Sequence, residues 1–336
     1  MGVSRDTPTS PEFGLRPVLT ALSVLFVLTA GRLAAQGAID PTVADRAAAL
    51  ERGGARGSAI ELLGRYLATA PDDGRAWLEL GLYYLRDGRD WHRQQHTGDP
   101  DAGIYLDFAA TAFDQAIRLG YDTARVERAI VEMDRAVTPM ESGGWLVPPG
   151  RGALEVPPLP AFVLELGRNL VRSCPARGVL VTGSDLEAVA TWYAVVVEDR
   201  RQDVLLIRPE LYATDPAYRA QAAKHLETDS AQSLRSALQA SSGRRPLCLS
   251  PIAADSLAPE ATTAAPWRLI LLSPSTLPSM PADPLAFLDF LAIQQAGGQA
   301  WSAAVLEVYR AASRRNALLC GGQLSVLDTP GAACGP

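Results

Sequence analysis

A crowd of glycine and proline between 143 and 160 constrains this chain more than any other feature. Gly143-Gly144, Pro148-Pro149-Gly150, Gly152, Pro157-Pro158 and Pro160 share one short stretch. Proline removes a backbone donor and fixes φ, and glycine weakens helix and strand alike, so regular structure has to stop there. The expected architecture is two units on either side of a linker at 138–160, a helical one at 39–137 and an α/β one at 161–336. A length of 336 residues suits two domains of ordinary size.

The residues before the helical unit read as an address. From Pro17 to Gly31 the chain is uncharged and mostly apolar, with Arg5 and Arg16 before it and the small residues Ala34, Ala35, Gly37 and Ala38 after it. A spanning helix takes about 20 apolar residues, and this run is shorter. The pattern is that of an export signal over 1–37, cleaved near Ala35 or Gly37 or else kept as an anchor. The expected mature chain is periplasmic or secreted and has no membrane span. Its net charge is −6, from 31 basic and 37 acidic residues, with no basic block to meet a row of phosphates. Nucleic acid is therefore not an expected partner.

Cys174, Cys248, Cys320 and Cys334 all lie in the second half. An exported chain can oxidise them, and an even count allows complete pairing. Cys320 and Cys334 flank a short glycine-containing tail, which makes them the expected bridge. None belongs to a C-x-x-C motif, so neither thioredoxin-like redox chemistry nor a structural zinc site is expected.

Within 39–137, Asp40-Pro41 starts a helix carrying Val43, Ala47 and Leu50, and Gly53-Gly54 ends it. A second helix carries Ala59, Leu63 and Leu67 and stops at Pro71-Asp72-Asp73-Gly74. The third, around Trp77 to Leu85, is apolar nearly all round, as befits a helix covered on more than one side. Trp77, Leu80, Gly81 and Tyr84, with Ala59, Leu63 and Pro71 before them and Ala109, Phe113 and Ala116 after them, resemble the tetratricopeptide repeat, a helix pair of roughly 34 residues. An insertion from about Gly88 to Asp101 departs from that pattern, and a helix from Ala124 to Ala136 reads as a cap. The resemblance implies a groove lined by first helices, where the matching positions are Arg75, Leu78, Leu82 and Leu85. Its guest is either a protein or peptide partner or the chain's own second domain, because arrays this short lean on something.

Beyond the linker, a helix is expected near Phe162 to Arg172. Short apolar runs at 178–182, 203–207, 246–249 and 267–272 read as strands and alternate with helical segments, giving a small, mostly parallel sheet with helix cover. Thr182, Asp185, Trp192, Tyr193, Val197-Glu198, Arg201, Asp203-Val204 and Thr214-Asp215 stand at spacings similar to those in the soluble region of bacterial membrane proteins related to protein O-mannosyltransferases. The multi-span part that holds that family's sugar-transfer site does not accompany them, so the resemblance implies a fold and not a reaction.

Three constellations invite chemistry. Gly183-Ser184-Asp185 at a strand-to-helix turn points N–H groups where an anion or sugar hydroxyl can dock, or else Ser184 or Asp185 caps the helix. Ser184 with His225 lacks the Gly-x-Ser-x-Gly frame of a hydrolase. His92 and His96 are four apart, but Arg93 occupies the place of the glutamate that zinc hydrolysis needs, so no metal is expected. No cofactor is expected either. The leading functional reading is an exported, non-catalytic adaptor or assembly factor that uses the repeat groove. The alternative is a glycan-related enzyme or sugar-binding module with its site at Ser184 and Asp185.

Overall fold

Gly53-Gly54 separates two short helices, and Gly54 takes a φ of +80° that an L-residue adopts at a cost. The computed structural model describes residues 39–95, 100–137, 156–257, 264–273, 284–296, 298 and 300–327. The expected signal segment, His96, most of the linker (138–155) and Cys334 lie outside the described residues.

Five helices build the first unit: α1 (Thr42–Arg52), α2 (Arg56–Leu67), α3 (Gly74–Gln95), α4 (Pro100–Arg118) and α5 (Thr123–Arg135). Successive helices pack on one another. The Tyr66 hydroxyl fixes the α2–α3 turn by donating to Asp73 (3.0 Å) and accepting from the Asp40 N–H (2.7 Å). Gly81 is obligatory in this arrangement: a Cβ there would stand 2.6 Å from the Phe113 ring, which packs directly on the α3 backbone. Within the insertion expected from about Gly88 to Asp101, one reading is corrected, that His92 lies in a polar loop. Helix α3 runs unbroken to Gln95, so His92 is helical rather than in a loop.

The second unit begins with α6 (Ala161–Ser173) and continues through β1 (Val179–Val181), α7 (Asp185–Trp192), a π turn (Tyr193–Val197) and β2 (Leu205–Ile207). Next come α8 (Pro209–Thr214), α9 (Pro216–Leu226), α10 (Leu234–Ser241), β3 (Leu247–Leu249) and α11 (Pro251–Leu257). The described part closes with β4 (Ala265–Trp267), β5 (Ile270–Ser273), α12 (Leu288–Ala296), α13 (Ser302–Arg315) and α14 (Ala317–Gly321). The sheet order is β2-β1-β3-β5-β4. β1 pairs in parallel with β2 and β3, while β5 runs antiparallel to β3 and β4. The sheet is thus mixed rather than mostly parallel. The cause is local: the run at 267–272 is a hairpin that turns at Arg268, with φ at 52°. A two-residue turn reverses the chain, whereas a parallel return needs a crossover.

Both faces of the sheet are covered. Leu180, Cys248, Ile270 and Leu272 face α6 and α7, and Val179, Val181, Ile207 and Leu249 face the α8–α10 side. The first core does not stop at the linker. It runs from Leu85 and Phe113 of the helical unit through Ile130 and Leu166 to Tyr309 and Leu324. α5 packs directly on α7, so the two units share one hydrophobic interior.

Candidate functional site

The carboxyl ends of β1 and β2 face the helical unit, and the chain's charged groups converge there. At the β1–α7 turn, Ser184 is the N-cap: its hydroxyl accepts the Glu187 N–H at 3.2 Å. Glu187 reaches back to accept from the Gly183 N–H at 2.8 Å, completing a capping box. The same carboxylate accepts from the Ser250 hydroxyl (2.7 Å) and the Ile252 N–H (3.1 Å) across the sheet. Gly183 lies so close to α11 that a Cβ would stand 2.1 Å from the Ala253 nitrogen. The donors that an external anion would use are thus satisfied by Glu187, which is fully buried. Burial raises its carboxyl above the ordinary value, against the pull of those hydrogen bonds.

Asp185, one residue on, points the other way, into an ionic quartet. Arg89 of α3 donates through Nε to Asp134 of α5 (2.6 Å) and through Nη1 to Asp185 (2.8 Å). Arg208, which follows β2, donates to Asp134 at 2.7 Å and stands 3.5 Å from Asp185. Burial raises the Asp134 carboxyl, but Arg208 and Arg89 outweigh it and hold the group below the ordinary carboxylate range. A second bridge joins Arg93 of α3 to Glu210 of α8 at 3.1 Å. Three of these contacts, Arg89–Asp185, Arg208–Asp134 and Arg93–Glu210, tie the helical unit to the α/β unit, at the edge where open parallel sheets ordinarily receive ligands.

The stripe expected to line a repeat groove is graded along its length. Arg75 is partly exposed and pairs with Asp45, and Leu78 and Leu82 are half-buried. Leu85 is only 3% exposed and belongs to the shared core. One turn further, Arg89 continues the same spacing and is engaged by the quartet. At the far end the second unit thus meets the stripe through Asp185 on Arg89. The near end keeps some exposed surface. Sequence reasoning missed Arg89 and Glu187, although each had a signal: four residues past Leu85 on one helical face, and the Ser-x-x-Glu spacing of a capping box.

The other candidates are placed as follows. His225 lies half-buried on α9, with its basicity lowered by burial, Arg245 and Lys224. Ser184 is engaged at its cap. Among the described residues no group of three His, Cys, Asp or Glu is placed to hold a metal ion. Trp77 and Trp192 are packing residues, the first donating to the Pro71 carbonyl at 2.8 Å. A recess of about 10 Å³ beside Pro251, Arg268 and Arg315 has room for about one water, far below the roughly 300–1,000 Å³ typical of ligand pockets. Cys174 and Cys248 form a disulfide. Cys320 is also disulfide-bonded, and the expected partner Cys334 lies outside the described residues. No family model matches the chain, and neither does any curated protein or solved structure.

Proposed function

We propose that the protein is an exported, non-catalytic adaptor or assembly factor that takes a protein or peptide partner on the near end of a tetratricopeptide-like stripe, at Arg75, Leu78 and Leu82. The observation that carries this reading is the gradient of burial. Leu85 is buried in the shared core and Arg89 is engaged by Asp185 of the second unit, whereas Leu78 and Leu82 pack against that core yet stay half-buried and keep surface to offer. The alternative, a glycan-related site at Ser184 and Asp185, is weakened because both side chains are already committed, one to the cap and the other to Arg89 and Arg208. The buried Cys174–Cys248 disulfide supports an oxidising compartment, as export requires.

Two measurements test the reading. Leu78→Ala combined with Leu82→Ala should cost about 1 kcal/mol of stability or less while weakening capture of envelope polypeptides, and Leu85→Ala should cost about 2–5 kcal/mol. A double variant as unstable as Leu85→Ala, or one that captures as wild type does, would remove the proposed surface. N-terminal sequencing of the exported protein should begin at Gln36 or Ala38. Recovery of Met1 in the membrane fraction would show that the signal is kept.

A further inference from the structure

The amino ends of β1, β2 and β3 point away from the edge that meets the helical unit, and the loops leading into them collect cations. Hydrogen bonds set these loops side by side. The Val179 N–H donates to the Pro246 carbonyl at 2.8 Å and the Leu205 N–H to the Gly178 carbonyl at 2.9 Å, so the loop carrying Arg177 runs between that of Arg245 and that of Arg201. The end of α9 joins them, because Arg244 Nη2 donates to the Leu226 and Glu227 carbonyls at 3.1 and 2.9 Å. Six cations gather there in a chain whose net charge is −6. Three of them, Arg200, Arg201 and Arg244, pair with Glu198, Asp203 and Glu227. The side chains of the other three, Arg177, Lys224 and Arg245, enter no ion pair among the described residues, and Arg177 and Lys224 are exposed.

Backbone strain concentrates on the same loops. Six non-glycine residues among the described ones have φ between 52° and 68°, and four of them, Arg177, Asp199, Arg201 and Glu227, stand here, where glycine is the ordinary occupant. Three of the four use their side chains within the chain. Arg201 donates to the Cys174 and Pro175 carbonyls, both at 3.1 Å, Glu227 pairs with Arg244, and Asp199 accepts from Gln202. Arg177 gives its backbone N–H to Asp203 at 2.7 Å, a bond that glycine would also make, and its guanidinium to no described residue. The strain at 177 therefore retains a side chain that the fold does not use.

We infer that this end of the α/β unit docks an acidic segment of a partner polypeptide, whose carboxylates are received by Arg177, Arg245 and Lys224. Arg177 and Arg245 stand in neighbouring loops, about 5 Å apart at the strand spacing, and Lys224 lies on a helix roughly 10 Å further. One phosphate is too small to reach across that span. An extended peptide places alternate side chains about 7 Å apart on one face, so successive carboxylates match the three cations. Two of these are guanidinium forks, which take a carboxylate through paired hydrogen bonds. A bilayer is the poorer match, because no exposed large apolar side chain among the described residues lies on these loops to enter it. The surface is on the other unit from Leu78 and Leu82, so it goes beyond the adaptor reading and is tested by different residues.

Fluorescence anisotropy of a labelled octaglutamate peptide with the full mature chain at low ionic strength tests it. Arg177→Glu combined with Arg245→Glu should weaken binding by about tenfold or more. Arg46→Glu combined with Arg118→Glu, an equal change of net charge at exposed arginines of the helical unit, should weaken it by about twofold or less. Arg177→Gly should unfold at the wild-type temperature or above, since it relieves the positive φ, and still bind more weakly. Equal losses in the two double variants would mean that only the overall charge is felt, and wild-type binding by Arg177→Gly would mean that its side chain takes no part. Either result overturns the docking surface. Sedimentation with vesicles of phosphatidylglycerol and phosphatidylcholine in equal parts should leave the chain in solution. Capture that depends on Arg177 and Arg245 would give the surface to a membrane and overturn the peptide.

Discussion

Replacing Cys174 and Cys248 together by alanine is expected to lower the unfolding free energy by about 4 kcal/mol, one of the two largest effects anticipated for this chain. The bridge joins the end of α6 to the middle of β3 across 74 residues. Closing a loop of that length removes denatured-state entropy worth about 4 kcal/mol in the chain-entropy account. Both half-cystines are buried, with Cys174 1% and Cys248 0% exposed, so their loss also leaves a void between α6 and the sheet. Gly178 shows how tightly the site is built: a Cβ there would stand 2.5 Å from the Cys174 sulfur. Urea denaturation of the double variant checks the figure. A midpoint unchanged from wild type would mean that the bridge constrains little in the denatured chain.

How much of this architecture the sequence discloses depends on whether the deciding force is local. Asp40-Pro41, Gly53-Gly54 and Asp215-Pro216 mark helix ends because caps and breakers act within a turn, and α9 begins where Asp215 accepts from the Ala217 and Tyr218 N–H groups. The hairpin at 265–273 was hidden because its turn residues, Arg268 and Leu269, carry no turn signal and an apolar run reads as one strand. The extension of α3 to Gln95 was hidden for a different reason. Its polar face looks like loop composition, but it is laced by Arg56 of α2 to Asp87 and Asp90, contacts that only the tertiary fold brings together. The same holds for α6, where Glu165, Asn169 and Ser173 recur every fourth residue on an apolar helix. Glu165 accepts the N–H groups of Asp289 and Phe290, Asn169 pairs with the Ala286 backbone, and Ser173 accepts from the Leu269 N–H. A polar stripe on a buried helix signals that the helix organises other segments, and it tells the reader nothing of which ones.

The candidate site divides in the same way. Ser184 and Asp185 were legible as a pair at a strand-to-helix turn, and both sit there. Which of the two would cap was not legible, because it depends on where Arg89 and Arg208 arrive from elements far away in the chain. Arg89 sits 96 residues from Asp185 in sequence. An aspartate at a helix start is normally satisfied by the helix itself. Here the cap falls to Ser184, and Asp185 is left free to bind the other unit.

Glu187→Ala is the second substitution expected to have a large effect, and it separates a structural role from a ligand-binding one at the same turn. The carboxylate is the common acceptor for the Gly183 N–H, the Ile252 N–H and the Ser250 hydroxyl. Alanine would take the acceptor from two part-buried backbone donors, at about 0.5–1.5 kcal/mol each, and open a cavity between α7 and α11 where the fully buried side chain stood. The hydroxyl can rotate toward another acceptor, so the total expected is about 3–5 kcal/mol. Glutamine keeps one oxygen and turns an amide N–H toward a donor, so Glu187→Gln should fall between alanine and wild type. The pH dependence supplies a further check. Because burial raises the folded-state carboxyl, the protein is favoured with Glu187 protonated. Its contribution is complete below the unfolded-state value and is lost as pH rises past it. Glu187→Gln should flatten that part of the stability profile, in which stability declines with rising pH. If Glu187→Ala instead folded with wild-type stability, the seat between Gly183 and Ile252 would be open to an external anion, and the sheet edge would regain its claim as a binding site.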